Sequence, residues 1–430
     1  MTFSMKHLII LSCLAFTTAI HSAQAANLNQ IETVKPIKNI SLGPRPFYLI
    51  DQMDASELKT KLLACSNKKM KPSTFSIGHR GAPMQFPEHT RESYMAAANM
   101  GAGIIECDVT FTKDEALVCR HSQCDLATTT NILLIPELAK KCSVPFAPAV
   151  FNAETGALIK SATAQCCTSD ITLEEFKMLE GKMDASNLSA TSVEEFMQGT
   201  ANWRTDLYSG TGTVMTHKES IELFKQLNVK MTPELKSASV LMPFNTNFSQ
   251  QQYAKKMLEE YIALGVDPKQ VYPQSFDIED VRYWIKHYPE FAKQTVWLDD
   301  VVYKDDAKEA LDITAYQSQI NNMAAYKAEG IHYIAPPMFT LLELDSSNNV
   351  VPSQYAKAAN AAGIKLITWT LERSGLLKNH GGWYYQTIND SVNHEGDMFM
   401  VLDVLAKQVG IVGMFSDWPA TTTYYDNCMN

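Results

Sequence analysis

From residue 75 onward, short apolar runs alternate with longer stretches whose apolar positions recur at helical spacing. Eight runs have strand character: 75–78, 103–108, 229–234, 271–276, 295–298, 331–335, 365–370 and 411–415. Helical patterns lie between most of them, over 90–100, 218–227, 251–264, 278–288, 315–329, 353–361 and 398–408. Gly101, Gly265, Gly330, Gly363 and Gly410 stand where helices should stop. Eight strands alternating with helices predict a closed (β/α)8 TIM barrel. An open doubly wound sheet is the structural competitor, and the count of eight favours the barrel.

The pattern also divides the chain. Residues 1–26 read as a secretory signal: Lys6 supplies the positive region, 8–20 the apolar region, and 22–26 small-x-small cleavage sites. Residues 27–70 form a polar, proline-containing leader with a helical pattern at 55–65, and 71–430 form the barrel. A cysteine-rich insertion, about 123–212, follows the second strand.

Composition narrows the partners. Of the 430 residues, 46% are apolar and 20% charged, the balance of a soluble globular protein. The net charge is −10 and the basic residues are scattered, which argues against nucleic acid. No stretch after the signal reaches ~18 uninterrupted apolar residues, so no stable membrane anchor is expected. Export, to the periplasm or the medium, fits the cysteines: Cys65, Cys107, Cys119, Cys124, Cys142, Cys166, Cys167 and Cys428 form an even set that predicts disulfides. Five of them fall within 119–167, so that segment should be stapled locally. A zinc site is disfavoured, because no C-x-x-C pair occurs.

Chemistry collects at the ends of the predicted strands. His79 and Arg80 follow the first, and Glu106 and Asp108 close the second on one face, with Cys107 on the other. Glu234 ends the third strand and Lys236 follows it; Gln274 and Trp369 sit at later strand ends. In a barrel of this kind such positions carry function. Three carboxylates held together repel unless a cation joins them, and oxygen-only ligands point to Ca2+ or Mg2+. Ion pairs with Arg80 or Lys236 are the simpler alternative. His121 follows a short return strand, 117–120, that can bring it back over the mouth beside His79, giving two imidazoles for proton transfer. The loop 379–385 carries glycines and aromatics that suit either a pocket wall or a plain connection.

One family shares this ordered set. His79-Arg80-Gly81, Pro87-Glu88-His89-Thr90, Glu106-Cys107-Asp108-Val109 with Thr112-Lys113-Asp114, His121, Pro233-Glu234-Leu235-Lys236, Gln274-Ser275-Phe276 and Trp369-Thr370 together resemble the glycerophosphodiester phosphodiesterase family, across 75 to about 420. The resemblance implies a TIM-barrel hydrolase that cuts small-molecule glycerophosphodiesters to sn-glycerol 3-phosphate and an alcohol. It implies a divalent cation on Glu106, Asp108 and Glu234, an acid/base pair of His79 and His121, and phosphate contacts from Arg80 and Lys236. His89, Ser122 and Glu115 depart from the family's usual Asn, Asp and Gly. A phospholipase D-type lyase on the same barrel, forming a cyclic phosphate from a sphingolipid or lysophospholipid, is the alternative.

Overall fold

The structure, a computed structural model, describes residues 34, 36–300 and 311–430; the predicted signal at 1–26 and residues 27–33 and 35 of the leader lie outside the described residues. Eight strands close a parallel ring. Numbering the barrel strands alone, they are β1 (Ser73–Gly78), β2 (Ala102–Phe111), β3 (Lys230–Leu235), β4 (Gln274–Ser275), β5 (Val296–Leu298), β6 (Tyr333–Ala335), β7 (Lys365–Thr368) and β8 (Gly413–Ser416). Each pairs with its neighbours in chain order, and β1 pairs with both β2 and β8, which excludes an open sheet.

All eight predicted strands are present. The fourth is much shorter than the predicted 271–276, because Pro273 has no N–H to donate and Val271 makes only an isolated bridge to Met231. A return strand, Leu117–Cys119, adds an antiparallel edge to β2.

Helices follow each strand: Arg91–Asn99, His217–Leu227, Gln250–Ala263, Ile278–His287, Ile313–Ala328, Gln354–Ala361, Asp397–Asp403 and Ala420–Met429. Their starts are written locally. Thr216 with Glu219, and Ser249 with Gln252, form reciprocal caps that satisfy first-turn N–H groups. At the stops, the five glycines predicted for that role all take positive φ, and Asn228 does the same (φ 56°) after His217–Leu227.

Ile77, Ile104, Leu298, Ile367 and Phe415 come from five different strands yet pack in one cluster. Residues so spread around a ring meet only in its lumen, so the barrel interior is a filled core. Larger apolar layers lie between strands and helices. Residues 120–216 connect the return strand to His217–Leu227 and carry a separate core that includes Leu126, Ile132, Phe176 and Phe196.

All eight predicted disulfide cysteines are paired. Cys124–Cys167 and Cys142–Cys166 lie within the segment expected to be stapled locally. Cys119 instead reaches back to Cys107, because the return strand sets it opposite Val109 on β2. Cys65–Cys428 ties the leader to the last helix across 363 residues. Closing so long a loop restricts the unfolded chain strongly. Replacing both cysteines by serine is expected to cost about 2–4 kcal/mol in urea unfolding; an unchanged midpoint would show that the bridge contributes nothing.

Candidate active site

The register of three strands builds the centre of the barrel mouth. Along β2, alternation sends Glu106 and Asp108 inward, while Cys107 is tied outward in its disulfide. Asp108 stands opposite Glu234 on β3, and Glu234 stands opposite Gln274 on β4. Oxygens of Glu106, Asp108 and Glu234 therefore lie within 4.8 Å of one another, all buried. Gln274 is buried and donates from Nε2 to Glu106 Oε1 at 2.8 Å, so it supports that carboxylate from the side.

The turn after β1 supplies the next two groups. Arg80 takes a left-handed conformation (φ 60°), and Gly81 follows at φ 97°, where a Cβ would lie 2.3 Å from Ser93 Oγ. That backbone aims the Arg80 N–H at Glu106 Oε2, 2.9 Å away, and its Nη1 at Glu88 Oε2, also 2.9 Å. The Nε of Arg80 is 3.8 Å from Asp108. His79 Nδ1 is 2.9 Å from Asp417 Oδ1. A carboxylate only accepts, so Nδ1 carries the proton and Nε2, 3.9 Å from Glu106 Oε2, is the free acceptor.

A cavity of about 580 Å3 opens above these groups. His79, Arg80, Glu106, His121, Glu234, Lys236 and Trp369 all line it, so most of the predicted site converges on one space. The wall also contains Trp383 and Tyr384, which makes the 379–385 loop part of the pocket. Lys236 Nζ is 2.5 Å from Glu234 Oε1 and Arg80 Nε is 3.8 Å from Asp108 Oδ2, so both simple ion pairs are present, and Arg80 also pairs with Glu88.

Several residues around the site were not assigned a role from sequence: the buried Glu88, Asp417 and Glu372, and the half-buried Arg373 and Asp184. Arg373 donates to Glu88 at 2.7 Å, Asp184 at 3.0 Å and Asp417 at 3.3 Å, linking loops after β1, β7 and β8 to the segment after the return strand. Arg204 also donates to Asp184 and to the Pro83 carbonyl. The available signal was position: Glu372, Arg373 and Asp417 all fall just past strand ends. His89, where the family usually has Asn, bridges Asp108 Oδ2 and the Tyr94 hydroxyl, each at 2.9 Å. It sits at φ 56°, a region in which His and Asn are both enriched. Glu115 has φ 63°, in the left-handed region where glycine is the least strained residue.

Electrostatics separates the carboxylates. Burial, then Asp108 and Glu234, raise Glu106 well above its ordinary value. Burial pushes Glu234 up to about 7 against the pull of Lys236. Burial also opposes ionisation of Glu88, but Arg80 and Arg373 outweigh it and hold that carboxyl well below the usual range. Desolvation lowers both His79 and His121, leaving neutral imidazoles. Asp108 Oδ1 is buried with no hydrogen-bond partner. An orphaned oxygen beside two carboxylates that resist ionisation is a donor set that fits a divalent cation.

A family model described as the glycerophosphoryl diester phosphodiesterase family matches residues 79–421. The chain is 44% identical over 252 residues to a protein named "Extracellular protein" from Arthroderma benhamiae, covering 58% of this chain and all of that one. It is 22% identical over 365 residues to a glycerophosphodiester phosphodiesterase of Arabidopsis thaliana, covering 82% and 85% of the two chains. A solved structure from Silicibacter pomeroyi, named for the same family, shares the fold with a TM-score of 0.51 at 17% identity, over 86% of this chain and 99% of that one.

Glu372 offers a test of this electrostatic reading. It accepts from Ser416 Oγ at 3.0 Å and from the Asp417 N–H at 2.9 Å, and burial pushes it up to about 7. A raised carboxyl favours the protonated form in the folded state, so folding loses stability as pH rises from the unfolded value toward 7. Glu372→Gln should therefore stabilise the fold at pH 8, by at most about 3 kcal/mol, with the gain vanishing near pH 4. Thermal unfolding across pH checks this; an equal effect at both ends would refute it.

Proposed function

The chain belongs to the glycerophosphoryl diester phosphodiesterase family and is a phosphodiesterase of that type; from that premise we propose that it hydrolyses glycerophosphodiesters to sn-glycerol 3-phosphate and an alcohol, in a divalent-cation-dependent reaction that uses His79 and His121 as acid and base. The observation that carries this reading is the buried trio Glu106, Asp108 and Glu234 in one cavity with both imidazoles.

Glu106, Asp108 and Glu234 would hold the cation, and their all-oxygen character favours Ca2+ or Mg2+. Bound there, it would neutralise phosphodiester charge as a Lewis acid. The chain's own residues supply the rest. Arg80 and Lys236 bring positive charge to the cavity edge for the phosphate oxygens. Asp417 fixes the His79 tautomer so that Nε2 accepts a proton. His121, brought to the cavity by the return strand, serves as its counterpart. Trp369 and the neighbouring rings bound the space and exclude water from one side. Gln274 acts through Glu106. The family match favours the hydrolase over the lyase alternative.

Four disulfides and the extracellular relative support export, to the periplasm or the medium. No helix among the described residues is long and apolar enough to cross a membrane.

Glycerol 3-phosphate release from a glycerophosphodiester should stop with EDTA and return with Ca2+ or Mg2+; release that persists in EDTA would end the cation assignment. His79→Ala should lower kcat by about 10^2–10^4 with little change in KM. A rise confined to KM in steady-state kinetics would make His79 a binding residue.

A further inference from the structure

His89 is fully buried, and both of its ring nitrogens are engaged. Nε2 lies 2.9 Å from Asp108 Oδ2, and a carboxylate only accepts, so Nε2 carries the proton. Nδ1 is then the acceptor for the Tyr94 hydroxyl, also 2.9 Å away. Tyr94 is itself fully buried, on the helix Arg91–Asn99. The backbone fixes the other end, where the His89 N–H donates to the Arg80 carbonyl at 3.1 Å. An imidazole pinned in this way cannot turn its donor away from Asp108.

The pinning bears on how the carboxylates can meet a cation. Glu106 Oε1 and Oε2 accept from Gln274 Nε2 and from the Arg80 N–H. Glu234 Oε1 faces the Lys236 ammonium, and Asp108 Oδ2 faces His89. Four of the six carboxylate oxygens in the trio thus already have a protein partner. Asp108 Oδ1 has none.

A donor held on Oδ2 disfavours binding by Asp108 through both oxygens, because Oδ2 would have to divide its lone pairs between proton and cation. Ca2+ takes about six to eight oxygens and accepts carboxylates bound through both. Mg2+ is smaller, holds to an octahedron, keeps several waters and uses few carboxylate oxygens. The supply of oxygens here suits the second ion.

We propose that His89, backed by Tyr94, is a positioning residue that presents Asp108 to the cation through Oδ1 alone and so sets the ion preference of the site toward Mg2+. His89 acts through Asp108. The inference rests on the cation-dependent reading above.

Calorimetric titration of Mg2+ and of Ca2+ into the EDTA-stripped chain tests this without substrate or turnover. The parent should bind Mg2+ more tightly than Ca2+. His89→Gly removes the donor without straining a backbone at φ 56°. It should weaken Mg2+ binding about 10–100-fold, the usual cost of losing a ligand's outer partner. Ca2+ should lose less, so the preference should narrow or reverse. His89→Gln, whose amide nitrogen reaches about as far as Nε2, should restore most of it. Tyr94→Phe removes one hydroxyl, should shift the preference the same way, and decides the matter if His89→Gly does not fold. An unchanged ratio of Mg2+ to Ca2+ affinity in the folded variants, or a parent that prefers Ca2+, would overturn the role of His89 while leaving the cation site standing. A parent that takes up neither ion would sink the cation-dependent reading and this inference together.

Discussion

Three carboxylates sharing one buried space is the constraint on which the rest of the structure turns. Glu106, Asp108 and Glu234 are brought within 4.8 Å by strand register, a geometry that backbone pairing enforces whatever the charges prefer. Buried like charges at that distance cannot all ionise without a compensating cation. The surroundings answer this in two ways. His89 and Lys236 each hold one carboxylate by a direct contact, and the Arg80 N–H caps another. The unpartnered Asp108 Oδ1 remains, and it is the atom that most calls for a metal.

Around that centre a second layer of charge fixes the loops. Arg373 joins Glu88, Asp184 and Asp417, and so couples the turn that carries Arg80, the segment after the return strand and the residue that orients His79. Loops at a barrel mouth are ordinarily its least constrained part. Here they are tied by charge pairs that share the half-buried Arg373 guanidinium, so its loss would leave three carboxylates without that partner. The Cys107–Cys119 bridge works to the same end, since it anchors the return strand that delivers His121. Preorganisation of this kind is what a charged substrate requires, as the protein dipoles need not rearrange during reaction.

Much of this was legible in the chain. The eight strands could be read because barrel strands are short apolar runs between helices, and the stops because positive-φ positions favour glycine or asparagine. Glu106, Asp108, Glu234, His79 and Arg80 were legible because they end strands. His121 needed one further step, the hairpin at 113–116 that returns the chain to the mouth. What could not be read were partnerships made by tertiary closure. Nothing local to Arg373 says that it meets Glu88, 285 residues away. The shortness of β4 was hidden too, because Val271 and Phe276 read as strand residues while Pro273 denies the ladder a donor. Cys119, the first of the 119–167 cluster, pairs just outside it with Cys107, 12 residues earlier, while the other four pair within it.

The most direct test of the account is calorimetric titration of Ca2+ and Mg2+ into the EDTA-stripped chain and into Glu106→Gln. If the carboxylate trio is the organising centre, the unaltered chain binds one cation and the variant binds it far more weakly or not at all, while remaining folded. A folded chain that takes up neither ion, or a variant that binds as well as the parent, would contradict it.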